Sequence, residues 1–348
     1  MSADCGPRQF VVRTPQDGLQ GSWKPPRDAS SGVSDAVPSQ PPAESRRTAS
    51  LAEAIALHRS GQLEAAIAAC RRAATSSPGS APARLLALLL SDNGQDAEAL
   101  RLAHRAIALD QTSAPSRAAL GRILAKAGDW AGSAEAHGEA VRLAPDLAAS
   151  HDGRGRALLA QGRVTEACES LDRAMRLRPP DPSLHRAYAA ALLAGGDVGL
   201  ERAAQAAADF PQAGEIQHAH GLALFGRGLW TEAARAFAEA AAKLPDDAAV
   251  QHDLGAALLE AGRGREAASA FRRALGIDPD RVASWHNLGS AEQAGGDMRA
   301  ALAAYAQAYR REPACLPRLA QELAAGPHGR VYLRAADLKR ELDDHPSL

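Results

Sequence analysis

Aromatic residues are scarce in this sequence: Phe, Trp and Tyr together make up 4% of its 348 positions. Sandwiches and barrels rely on aromatic and β-branched side chains for their pleated faces. With alanine abundant instead, the composition argues against an all-β fold and for helices packed through small residues. Cysteine is as sparse. Cys5, Cys70, Cys168 and Cys315 are scattered without a CxxC pair, which indicates neither a zinc site nor a disulfide framework. Isolated thiols suit a reducing compartment. A charge excess is missing too. Forty Lys and Arg face 41 Asp and Glu, for a formal net charge of -1. No global field is present to attract nucleic acid or anionic lipid. No apolar run, Leu85 to Leu90 included, comes near the roughly 20 residues that span a bilayer. The opening residues MSADCGPRQF contain no apolar core of a secretory signal, and Cys5 lacks the preceding apolar run of a lipoprotein signal. The expectation is a soluble, cytoplasmic protein.

Catalytic signatures are equally absent. The sequence has no HExxH, GxSxG or GxxxxGK[ST]. Gly153-Arg154-Gly155 lacks the third glycine of a nucleotide-binding turn and sits in a helical window with no strand before it. No catalytic role, cofactor or metal is expected.

What the sequence does contain is a repeat. Residues 1–45 are rich in Pro, Ser and Gly, and Pro25, Pro26, Pro38, Pro41 and Pro42 break any helix, so this arm is expected to be disordered. From about 47 the same pattern returns every 34 residues. The window 248–281 carries Leu254-Gly255, Gly262, Ala267, Phe271, Ala274 and Pro279. Thirty-four residues later stand Leu288-Gly289, Gly296, Ala301, Tyr305, Ala308 and Pro313, and 34 earlier Gly221, Gly228, Ala233, Phe237, Ala240 and Pro245. Approximate windows are 47–79, 80–113, 114–147, 148–181, 182–213, 214–247, 248–281 and 282–315. The fifth is irregular. Its closing prolines, Pro179 and Pro211, are 32 apart and Gly195, Gly196 and Gly199 crowd together, which predicts a shortened or distorted second helix.

Each position has a physical role. Leu254, Leu258 and Leu259, then Ala267, Ala270, Phe271 and Ala274, recur at helical spacing. Gly262 between the two runs allows a tight turn between antiparallel helices. Gly255 and Ala267 let backbones approach, Phe271 fills space between hairpins, and Pro279 stops the second helix. Leu316, Leu319, Ala320, Leu323 and Ala324 form a further stripe, expected as a helix capping the array, and residues 316–348 end in a tail with a final helix near 335–342.

Trp285, Leu288, Gly289, Ala301, Tyr305 and Pro313 resemble the tetratricopeptide repeat pattern of W, L-G, A, aromatic and P. The resemblance covers residues 46–315, and it departs from the pattern where Trp stands at its motif position only in the last repeat and where His220 replaces the usual leucine. It implies an all-α fold: a right-handed α-α superhelical solenoid of about eight helical hairpins, with first helices lining a concave groove and a protein or peptide as ligand.

The same register stacks candidate groove residues. His218, His252 and His286 are each 34 apart and fall at one position of three successive first helices. Metal binding is disfavoured, because equivalent side chains of neighbouring hairpins stand about 9–10 Å apart and zinc needs nitrogens at about 2.0–2.1 Å. They read either as ligand contacts or as polar residues tolerated on a solvated face. Arg122 and Arg156 share a position 34 apart, with Arg84, Lys126 and Arg186 nearby, which offers an acidic peptide charge-assisted hydrogen bonds; the alternative is a solvated arginine-rich face. With Asp253, Asn287 and the histidines, the later groove reads as polar and nearly neutral. Asn93 and Asn287 are the only asparagines, too few for the carboxylate clamp of some tetratricopeptide domains.

The leading functional reading is a non-enzymatic scaffold or adaptor whose groove binds a partner segment, an acidic one being the candidate that the arginines suggest. A second is a substrate-recruiting subunit for a separately encoded transferase or hydroxylase, since residues 316–348 are too few for such a domain. A third is a self-associating structural array. The oligomeric state is not legible in the sequence.

Overall fold

In a computed structural model of the chain, the described residues are 43–178, 181–325 and 335–344, and apart from one 3-10 turn every regular element among them is an α-helix. The N-terminal arm up to residue 42, the Pro179 helix stop and the tail segment around Arg330 lie outside the described residues. Two compact units are distinguished, the first ending at Gln111 and the second beginning at Thr112.

The first unit holds two antiparallel hairpins, α1 (Ala43–Arg59) with α2 (Leu63–Ser76), and α3 (Ser80–Asp92) with α4 (Asp96–Leu109). Leu86, Leu89 and Leu90 of α3 are buried, as are Ala66, Cys70 and Ala73 of α2. The Cys70 thiol meets the Pro82 carbonyl at 3.5 Å, and burial pushes the thiol up to about 11.

The second unit continues with six hairpins: α5 (Ala114–Lys126) and α6 (Trp130–Leu143); α7 (Ala148–Ala160) and α8 (Val164–Leu177); α9 (Pro182–Ala194) and α10 (Gly196–Asp209); α11 (Gly214–Gly226) and α12 (Trp230–Lys243); α13 (Ala248–Glu260) and α14 (Gly264–Ile277); α15 (Val282–Ala294) and α16 (Met298–Arg311). A 3-10 turn, Pro313–Cys315, leads into α17 (Leu316–Ala325), and α18 (Ala335–Asp344) follows. The architecture is an all-α solenoid, and within each unit every hairpin packs on the next. Aspartates start many of the helices: Asp129, Asp181, Asp247 and Asp297 each accept backbone N–H bonds at 2.8–3.2 Å from the first turn.

The turn inside each hairpin follows from one glycine. Gly262 has φ +75°, a conformation that costs other residues strain. Its N–H reaches the Leu259 carbonyl at 3.0 Å and the next N–H, of Arg263, reaches Leu258 at 2.8 Å, a Schellman ending for α13. The same pair of bonds closes every other hairpin except the fifth. There α9 and α10 are separated by Gly195 alone, and Gly196, with φ +56°, opens α10 directly. The expectation of a shortened second helix is therefore corrected. Helix α10 has 14 residues like its counterparts, and the missing residues come out of the turn. Gly199 makes this possible, because a Cβ there would collide with the Leu192 carbonyl oxygen.

Packing within hairpins obeys a volume exchange. The glycines Gly121, Gly155, Gly221, Gly255 and Gly289 of the first helices each press against a bulky second-helix side chain: His137, Leu171, Phe237, Phe271 and Tyr305 in turn. Where the second-helix residue is small, as with Cys70, Ala103 and Ala203, alanine stands at the first-helix position: Ala54, Ala87 and Ala189. A glycine thus faces each bulky partner and an alanine each small one, the complementarity that dense interiors favour. Burying a ring such as Phe271, which is wholly inaccessible, stabilises by about 2–3 kcal/mol.

The C-terminal end is closed by both last helices. Leu319 and Leu323 of α17 and Leu338 and Leu342 of α18 are fully buried in one cluster with Tyr305 and Tyr309 of α16.

Candidate functional site

Counting each hairpin of the second unit from the first residue of its first helix, positions 5, 9 and 12 lie on one helix face. Position 5 carries Ala118, Asp152, Arg186, His218, His252 and His286 from the third to the eighth hairpin. Position 9 carries Arg122, Arg156, Ala190, Leu222, Ala256 and Ser290. Position 12 carries Ala125, Leu159, Leu193, Phe225, Leu259 and Gln293.

The structure sorts the sequence-derived candidates into those facing solvent and those tied into seams between hairpins. Arg122 and Lys126 on α5 and Arg186 on α9 are exposed. Arg156 is half-buried: its Nε donates to Asp152 at 2.5 Å, and its Nη2 donates to the Ser183 carbonyl and hydroxyl at 2.9 and 3.0 Å. It stitches α7 to the start of α9, so it does not extend the exposed charge of Arg122 along the face. Arg178 adds to the same seam, pairing with Asp181 and lying 3.7 Å from Asp152. Arg84, on α3 of the first unit, is half-buried, and burial lowers its guanidinium below the ordinary arginine value.

The histidines form a ladder of cross-seam contacts. His185 of α9 lies 3.3 Å from Glu215 of α11. His218 of α11 bonds Asp253 of α13 at 2.7 Å. His252 of α13 bonds the Ser284 hydroxyl of α15 at 2.8 Å through Nδ1. His286 of α15 has Glu322 of α17 3.1 Å from Nε2, and its Nδ1 lies 3.3 Å from the Asn287 amide oxygen. Each of the last three imidazoles also rests against the bulky ring of its own hairpin, with centroids 5.5, 5.4 and 6.0 Å from Phe237, Phe271 and Tyr305. His252 and His286 are buried, and burial pulls His252 down to about 4, keeping it neutral. Thus His218 meets Asp253 across a seam between hairpins and His286 meets Glu322 of α17, while Asn287 contacts only its neighbour His286 within α15 among these candidates. Among the described residues no group of three or more His, Cys, Asp or Glu side chains is placed to hold a metal ion.

Sequence reasoning passed over the position-12 column. Leu159, Phe225 and Leu259 are partly buried and pack against the hydrophobic core, and Leu193 is 43% exposed. The register that aligned the histidines contained this column as well. Reading its residues as core obscured it, since a leucine one step round the helix from the core looks the same in a hydropathy pattern. The column ends at Gln293, which is buried and donates to the Glu322 and Leu323 carbonyls of α17.

No helix among the described residues is long and apolar enough to cross a membrane. Family models of the tetratricopeptide repeat match residues 224–292, residues 39–81 and 153–215, and residues 282–315. No curated protein matches. Among solved structures the chain is similar to YrrB, described as a TPR protein with an unusual peptide-binding site, at 19% identity over 53% of this chain and 96% of that one, with a TM-score of 0.40. It is similar to MamA AMB-1 at 22% identity, covering 47% of this chain and 96% of that one, with a TM-score of 0.38. A chain of Naa15/Naa10 bound to HypK-THB is similar at 18% identity with a TM-score of 0.44, covering 85% of this chain; the match spans 46% of that chain's length. The residues matched by the repeat models amount to more than half of the sequence, and with its hairpins, turn glycines and ring positions this chain belongs to the tetratricopeptide repeat family.

Proposed function

We propose that this chain is a non-enzymatic interaction scaffold that holds a segment of a partner protein against the face formed by its first helices. The carrying observation is the division of labour on that face. The histidines, Arg156 and Asp253 hold neighbouring hairpins together, and the side chains of Arg122, Lys126, Arg186 and Leu193 on the same face are exposed. A rigid face with outward cations suits an acidic segment.

The shifted titratable groups support a structural rather than a chemical role. His137, His252, Cys70, Tyr188 and Tyr305 are all buried, and desolvation is the leading cause of every shift toward the neutral form. Cys70 and Cys168 are buried free thiols, which supports a cytoplasmic setting.

The test is affinity capture with the full chain beside a variant carrying Arg122→Glu and Arg186→Glu. A partner retained by the first and lost by the second, with a titrated Kd at least tenfold weaker for the variant, is the expected result. Partners retained equally by both would sink the reading.

A further inference from the structure

Away from the face of the first helices, we infer a separate binding site: a cleft between α6 and α7 that takes a small organic monocarboxylate. Two departures from the repeat meet there. Position 7 of the first helices carries Leu120, Tyr188, Leu254 and Leu288, all buried. In the fourth hairpin it carries Arg154 instead, and in the sixth His220. Counted the same way along the second helices, position 9 is Gly138 in the third hairpin and bears a side chain in the fourth to eighth. The two departures adjoin, since a Cβ on Gly138 would lie 3.8 Å from Arg154 Nε. Around them opens a cleft of about 570 Å³, the size of a small-molecule site, with Ala134, Val141 and Leu158 in its apolar lining. Position 7 is turned about 200° round α7 from position 5, so the cleft is not part of the face that carries Asp152 and Arg156. Gln161 braces the two helices beside it, its amide donating to the Trp130 carbonyl at 2.8 Å.

Ion pairing leaves one guanidinium of the cleft short of a partner. Glu139 accepts from Arg117 and Arg142, each at 2.8 Å. Glu166 accepts both arms of the Arg163 fork at 2.8 and 2.7 Å. Arg154 reaches Glu166 only at 3.9 Å, and among the described residues it has no closer charged partner. Its side chain is 35% exposed, so much of it is withdrawn from water. An arginine standing where other hairpins place leucine costs desolvation that one long ion pair does not offset. A carboxylate supplies the missing bonds, because its two oxygens match two parallel N–H donors of the guanidinium. The apolar lining then takes an aliphatic or aromatic body. Glu135 and Glu139 also line the cleft, which favours a ligand with a single negative charge over a polyanion.

The experiment is a ligand-observed NMR screen of the full chain against a fragment library holding equal numbers of monocarboxylates, amines and neutral compounds. Carboxylates should make up most of the hits. Their Kd should weaken at least tenfold with Gly138→Leu, which fills the cleft, and with Arg154→Leu, which restores the residue of the other hairpins. Glu166→Gln removes the distant partner of Arg154 and should tighten them at least twofold. Arg154→Leu should also melt no lower than the parent, because residues given up for binding are not the ones that stability favours. A lower melting temperature would make Arg154 a packing residue of the seam and overturn the inference. So would hits with no preference for carboxylates, hits indifferent to Arg154→Leu, or no hits at all. Where Gly138→Leu fails to fold, Arg154→Leu decides alone. Carboxylates that weaken only with Arg122→Glu and Arg186→Glu would overturn this site and leave the scaffold reading standing.

Discussion

His218 on α11 and Asp253 on α13 meet at 2.7 Å, so the imidazole and carboxylate that share one side of the solenoid are spent on each other. Each is about one-fifth exposed, and the contact joins two successive hairpins across 35 positions of sequence. Breaking it with Asp253→Ala should lower the stability of the second unit by about 1 kcal/mol, discounted for partial exposure. A double-mutant cycle with His218→Ala in urea denaturation should return most of that as coupling. Strictly additive losses would mean that the pair does not hold the seam.

The volume exchange gives a second expectation. A Cβ on Gly255 would stand 2.7 Å from the Phe271 ring. Gly255→Ala should therefore destabilise by about 1–2 kcal/mol, although alanine ordinarily favours a helix over glycine by about 1 kcal/mol. In a Phe271→Ala background the same change should become neutral or stabilising, because an alanine pair already serves at Ala189 and Ala203. Thermal melts of the four proteins decide it; a Gly255→Ala cost that persists without the ring removes the explanation.

Buried histidines set a pH dependence with a definite sign. His137 sits 5% exposed beside Gly121 and Gly153, its Nδ1 without a partner, and burial pulls it down to about 4, as it does His252. Both folded values lie below the ordinary value of about 6.5, so the unfolded chain binds more protons than the folded one between these limits. Their stabilisation is complete above about pH 6.5 and is lost as pH falls toward 4, with a slope of about 1.4 kcal/mol per pH unit for each. Urea midpoints measured from about pH 7 down to about 4.5 should fall accordingly. His137→Leu, which copies the Leu171 and Gly155 pairing of the next hairpin, should flatten part of the slope.

The shortened fifth turn makes its own prediction. Gly199→Ala should lower stability by about 2 kcal/mol or more, since the collision is with backbone and cannot be relieved by a rotamer change. Gly276→Ala is the control. Gly276 is exposed near the end of α14, an added methyl there would meet nothing within 4 Å, and the change should stabilise by about 0.5–1 kcal/mol. Equal effects at both sites would refute the close approach of Gly199 to Leu192.

The amino-acid sequence by itself determined the period, the hairpin and the turns. These depend on interactions within about 34 residues, where a glycine, a ring or an alanine acts on chain that is always nearby. Gly262, Phe271 and Ala267 can be read without knowing what the next hairpin does. The tertiary structure alone decided where side chains on the shared face are spent. Register leaves His252 equally compatible with a ligand contact and with a seam; the Ser284 hydroxyl, 2.8 Å away, makes it a seam. Arg156 belongs beside Arg122 by register, yet Ser183 and Asp152 claim its guanidinium. The deletion in the fifth window falls in the turn rather than the helix, because Gly195, Gly196 and Gly199 let the chain reverse in less space. Register places a residue on a face, but the reach of its side chain to a neighbouring hairpin is a distance in space, and that distance separates the histidine seams from exposed side chains such as Leu193 and Arg186.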